Sequence, residues 1–186
     1  MGGRRSYSYE YVPPEANTNP KAIKFPFLDE TTDMDENNLY PFVHLSTDGS
    51  VFIFANNRSV LLDPKTNKII REFPVLGGGS RNYPASGMSA LLPIKLYVQN
   101  AAVIQAEVIV CGGAKPEAYG LSQKGTFIPA LQDCNRLKIT KPNALWKKET
   151  MPTPRCMGDM LILPTGDLLI LNGAKLGKLN YLVLKV

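Results

Sequence analysis

With 186 residues, 44% of them hydrophobic and 20% charged, the chain has the size and composition of one globular domain with its own core. Gly and Pro at 15 each favour many turns and short strands over long helices, and no run of about 18 apolar residues offers a membrane-spanning helix. The net charge of +5 comes from scattered Lys and Arg, without a basic run interleaved with aromatics, which argues against nucleic acid as a partner.

The chain opens Met1-Gly2-Gly3-Arg4-Arg5-Ser6. No apolar h-region follows, so no signal peptide is expected. The same residues fit the loose M-G-x-x-x-S myristoylation pattern, but Gly2-Gly3 also reads as the end of a strand. Residues 6–12 are expected to finish a preceding repeat unit, 1–12, and little regular signal follows as far as Met34.

Three longer units then share one pattern: an opening motif, an apolar strand, a tight turn and a second apolar strand ending in small residues. The first, 36–75, runs from Tyr40-Pro41-Phe42-Val43-His44-Leu45 through Asp48-Gly49 to Val51-Phe52-Ile53-Phe54-Ala55. It continues with Val60-Leu61-Leu62, a turn from Asp63 to Lys68, and Ile69-Ile70. The second, 80–149, opens at Asn82-Tyr83-Pro84 and ends its second strand at Val108-Ile109-Val110-Cys111-Gly112-Gly113. Its stretch 115–125 reads as a loop, 127–134 as one short helical turn, and 135–139 and 145–149 as outer strands. The third, 150–177, pairs Met160-Leu161-Ile162-Leu163 with Leu168-Leu169-Ile170-Leu171 across Thr165-Gly166.

Gly2, Ala55, Gly112 and Gly173 mark a period of 53, 57 and 61 residues. Kelch repeats recur at about 50 residues, with insertions in loops. Asp-Gly and Thr-Gly between apolar runs are hairpin turns, because Gly tolerates positive φ. Continuous apolar runs suit strands covered on both faces, as blades packed face to face would be. The expected fold is therefore all-β, an incomplete kelch-type β-propeller of about three blades across 1–186.

The residues offer little self-contained chemistry. His44 is the only histidine, and copper needs several donors converging on one point. Cys111, Cys134 and Cys156 form no C-x-x-C pair, so a structural zinc is not expected. No histidine or other base near them in sequence would activate a nucleophilic thiol. Asp29, Glu36 and Asp48 read as loop and turn formers. Asn57-Arg58-Ser59 is the one N-glycosylation sequon, making Asn57 a candidate that depends on a secretory route.

The run Glu36-Asn37-Asn38-Leu39-Tyr40-Pro41-Phe42-Val43-His44-Leu45, with Phe52-Ile53-Phe54-Ala55-Asn56-Asn57-Arg58-Ser59, resembles the glyoxal oxidase family. So do Lys65-Thr66-Asn67-Lys68, Arg81-Asn82-Tyr83-Pro84, Val110-Cys111-Gly112-Gly113, Met151-Pro152 and Gly158-Asp159-Met160. The resemblance implies a seven-bladed propeller and a secreted copper radical oxidase akin to galactose oxidase. Such enzymes turn an aldehyde, oxygen and water into a carboxylic acid and hydrogen peroxide. Their cofactor is copper with a tyrosyl radical on a Tyr crosslinked to a Cys.

Carried over residue by residue, that site finds no match. The family's Phe-Cys-Ala-Gly-Gly and Arg-Trp-Tyr-Ala-Thr segments belong upstream of Gly2, its Tyr-His segment lies downstream, and no Tyr-His dipeptide occurs. The end, Lys178-Leu179-Asn180-Tyr181, also departs from the family pattern. The sequence is thus expected to be the central part of such an oxidase, inactive alone, with no copper of its own and needing the remaining blades for closure. A non-catalytic kelch module binding a protein or glycan and a truncation product without function stay open as alternatives.

The resemblance also bears on single residues. Tyr40 stands nine positions before Gly49, as the family's radical Tyr does before its own turn Gly, and Met157 stands likewise before Gly166. Tyr40 and Tyr83 are therefore candidates to line the substrate pocket, against a reading as loop packing. The family tends to carry cysteines at both 111 and 134, so a Cys111–Cys134 disulfide is implied for a secreted parent, and Cys156 reads as a buried free thiol.

Overall fold

The structure is a computed structural model that describes residues 4–12, 22–96 and 103–176. Gly2, Gly3 and Lys178 to Tyr181 lie outside the described residues. Apart from two short helices the described residues are all-β, in four antiparallel sheets.

Strands β1 (Ser8–Tyr9) and β2 (Ile23–Lys24) pair and lead into helix α1 (Pro26–Glu30). The first large sheet is a meander of β3 (Phe42–Leu45), β4 (Val51–Ala55), β5 (Arg58–Asp63) and β6 (Lys68–Glu72). The second repeats it with β7 (Gly87–Leu91), β8 (Glu107–Gly112), β9 (Asp133–Lys138) and β10 (Lys147–Thr150), and α2 (Ala118–Gln123) lies between β8 and β9. The fourth sheet is the hairpin β11 (Cys156–Ile162) and β12 (Leu168–Ala174).

The hairpin turns arise from their sequences. Gly49 adopts φ 84° and donates to Ser46 O at 3.1 Å, while the Asp48 carboxylate accepts from the Ser50 amide at 3.0 Å. Gly166, at φ 87°, donates to Leu163 O at 2.8 Å in the matching turn. The repeat extends to backbone shape. Tyr40 and Met157 open their units at φ 55° and 57°, and Asn56 and Gly173 close them at φ 60° and 87°. Each of these pairs is separated by the same distance along the chain as Gly49 and Gly166. The residue equivalent to Gly173 is thus Asn56 rather than Ala55, which shifts the expected period by one position.

The continuous apolar runs have their reason in layering. Phe52 and Phe54 of β4 and Leu61 of β5 pack against Val108, Val110 and Leu137 of the second sheet. The alternate residues Ile53, Ala55, Val60 and Leu62 turn the other way, onto Tyr9, Phe25, Phe27 and Leu28. In the second sheet Met88, Ala90, Ile109 and Cys111 face Met160, Leu168 and Ile170 of the hairpin. A strand with a neighbour on both sides must be apolar at every position. Each large apolar side chain buried this way contributes about 1.5–3 kcal/mol. The first strands of the three units lie together, with β7 beside both β3 and β11.

Two sequence expectations in the second unit are corrected. Residues 115–125 hold α2, whose Ala118 packs with Ala85 and Ala114. Residues 127–134 form no helical turn. Pro129 bridges to Leu176, Ala130 donates to Lys175 O and Leu131 donates to Gly113 O, so this stretch is extended and tied to distant backbone. Such partners carry no local signal. Residues 6–12 do enter a strand, but it pairs with Ile23–Lys24 in a stretch where no regular element was expected.

Candidate functional site

The opening residues of the first two units meet. Leu39 and Tyr83 form an isolated antiparallel bridge, and the Tyr40 and Tyr83 rings stand edge to face with centroids 5.8 Å apart. Tyr40 is 65% exposed and Tyr83 39%, so this aromatic pair faces outward at the end of the sheet where β3 begins. The neighbouring junction at the start of β7 is joined to the third unit: Ser86 O accepts the Met157 amide at 2.6 Å, and the Ser86 hydroxyl lies 3.2 Å from the Met157 sulfur.

A buried polar frame holds the pair. Asn82 Oδ1 accepts the Asn56 amide at 2.6 Å, and Asn82 Nδ2 lies 3.4 Å from Tyr40 O. Asn56 in turn donates from its side chain to Thr31 O at 3.0 Å and to the Asp33 carboxylate at 2.9 Å, and accepts from the Ser80 hydroxyl at 2.7 Å. Beside it, Arg81 is fully buried and grips Asp133 through both terminal nitrogens, with a further bond to Gly112 O at 2.7 Å. Burial pushes the Asp133 carboxyl up, but hydrogen bonds from Arg81 and Asn135 and the Arg81 charge outweigh it and hold the carboxyl below its usual range. Sequence reasoning had no role for Arg81, Asn82 or Asn56 beyond their place in the quoted motifs. An arginine with a distant acidic partner looks like any surface arginine.

His44 does not share the setting of Tyr40, although the two stand four residues apart. Tyr40 lies outside β3 in the left-handed region, so strand alternation does not relate it to His44. His44 stands opposite Phe52 and points across the sheet interface, where Nε2 is 2.8 Å from the Ser89 hydroxyl of β7. Burial keeps its imidazole below the usual pKa. Among the described residues no three His, Cys, Asp or Glu side chains gather where a metal ion could sit. Copper, which needs several donors converging on one point, finds no such His, Cys, Asp or Glu group among them.

Cys111 and Cys134, opposite one another on β8 and β9, are joined as a disulfide, and Cys156 is a buried thiol within reach of Ala174 O at 3.6 Å. Asn57 lies in the two-residue turn joining β4 to β5, partly exposed.

Comparison with known proteins agrees with these motifs. The glyoxal oxidase N-terminus family matches residues 1–184. Aldehyde oxidase GLOX1 of Arabidopsis thaliana is 57% identical over 178 residues, covering 95% of this chain and 29% of that protein. Aldehyde oxidase GLOX of Vitis pseudoreticulata is 44% identical over 181 residues, covering 97% of this chain and 33% of that protein. A WSC domain-containing protein of Arthroderma benhamiae is 34% identical over 158 residues. The chain thus spans about a third of the length of the aldehyde oxidases it matches. With a family match across nearly every residue, the chain belongs to the glyoxal oxidase family.

Proposed function

We propose that this chain supplies about three consecutive blades of a seven-bladed, kelch-type propeller in a secreted, aldehyde-oxidising copper radical oxidase. The observation that carries the reading is the register of its repeat. Units opened by Tyr40 and Met157 share turn and closing geometry, the second sheet stacks between the first sheet and the β11–β12 hairpin, and β7 lies beside both β3 and β11. Successive sheets with adjacent first strands are what a ring of blades requires. The names of the relatives support an aldehyde as substrate, and the reaction that the family resemblance implies turns aldehyde, oxygen and water into a carboxylic acid and hydrogen peroxide.

In this reading the chain is scaffold and wall. Copper and its radical partners belong to other parts of the longer protein, and Tyr40 and Tyr83 line the approach to them. The purified chain with copper and glyoxal should yield no hydrogen peroxide in a peroxidase-coupled assay; sustained turnover would overturn the division of labour. Substituting the chain for the matching third of the Arabidopsis relative should retain peroxide production. In that chimera, Tyr40→Ala and Tyr83→Ala should raise KM for the aldehyde several-fold. An unchanged KM would return both tyrosines to packing, the role a non-catalytic protein- or glycan-binding module would give them.

A further inference from the structure

The sequon at the β4–β5 turn is the motif that this reading leaves unused. We propose that Asn57 carries an N-linked glycan, set at the same end of the first sheet as the Tyr40–Tyr83 pair. Oligosaccharide is transferred to a chain that has not yet folded, so what the folded protein must provide is room for the modified amide. Asn57 is partly exposed in a turn of two residues, and no hydrogen bond engages its side chain among the described residues. Its main-chain carbonyl alone is used, accepting the Leu76 amide at 2.8 Å. The middle residue, Arg58, is no obstacle, because only proline there blocks the sequon.

Ser59 completes the argument. Its side chain is fully buried, and its hydroxyl has no hydrogen-bond partner. A buried hydroxyl without a partner opposes folding. No hydrogen bond within the chain thus accounts for a serine at this position, whereas the sequon does. The Cys111–Cys134 disulfide points to the oxidising compartment in which the transfer takes place. The position follows from the backbone: Asn56, next to Asn57, is held by Asn82, which precedes Tyr83. A glycan there stands beside the aromatic pair.

The native modification rests on the secreted location proposed above, so the experiment supplies a secretory leader to the full chain in a eukaryotic host. Total cell and medium fractions are read by mass before and after endoglycosidase, which makes the result independent of folding yield. The expected result is an endoglycosidase-sensitive mass on the parent chain, lost in both Asn57→Gln and Ser59→Ala and retained in Ser59→Thr. Absence of that mass from the leader-bearing parent, or its persistence in Ser59→Ala, overturns the proposal whatever compartment the native protein occupies. Absence of oxidase activity in the chimera bears only on the function proposed above.

Discussion

Asp133, at the start of β9, accepts both terminal nitrogens of Arg81, at 2.8 and 2.9 Å, and so ties the loop after the first sheet to the outer half of the second. Arg81 is wholly buried and the Asp133 side chain is 14% exposed. Removing one partner strands the other charge. Arg81→Met and Asp133→Asn should each lower stability by about 3–5 kcal/mol, read by urea denaturation. Losses below 1 kcal/mol in both would show that the pair is solvated in solution.

The same pair sets an acid limit. The folded Asp133 carboxyl is held below its usual range, so the unfolded chain takes up its proton first as the pH falls. The stabilisation is complete above the ordinary Asp value of about 3.9 and is lost as pH falls through the folded value. His44 acts higher on the scale. Burial depresses its folded pKa, so the unfolded chain binds the proton more readily below about 6.5 and stability declines from there. Denaturation midpoints between pH 7.5 and 5 should fall in the parent and stay flatter in His44→Asn.

Gly87 opens β7 where the backbone of β8 comes closest. A Cβ there would lie 2.3 Å from Cys111 O and 2.9 Å from the Gly112 carbonyl carbon. Backbone atoms cannot yield as a side chain can. Gly87→Ala should cost about 1–3 kcal/mol by overpacking, measured in the same denaturation series. A neutral result would mean that β7 and β8 are further apart than described.

The disulfide closes a separation of 23 residues that contains α2. Replacing Cys111 and Cys134 together by Ala should lower stability by about 3 kcal/mol, the chain-entropy value for a loop of this size. Cys156→Ala should leave the difference between reduced and oxidised protein unchanged, because that thiol takes no part in it.

The hairpin β11–β12 leaves Leu161, Ile162, Leu169 and Leu171 between 37% and 53% exposed. An apolar hairpin face whose edge is unpaired among the described residues recruits other strands. The isolated chain should self-associate in sedimentation velocity, and Leu161→Lys with Leu169→Glu should reduce this. A parent chain that sediments as a monomer across the concentration range would contradict the expectation.

Local sequence alone determined the hairpins and the repeat. Asp48-Gly49 and Thr165-Gly166 place positive φ where the turns need it, and the apolar runs from Val51 to Phe54 and Leu168 to Leu171 mark strands, because both signals act over a few neighbouring residues. The family motifs around Tyr40 and Tyr83 were legible for the same reason. Only the tertiary structure decided what those residues touch. Sequence could not show that Arg81 would meet Asp133, that Asn56 and Asn82 would brace the aromatic pair, or that 127–134 would extend along distant backbone. Each of those contacts joins residues far apart in the chain, and its energy exists only once the sheets have stacked.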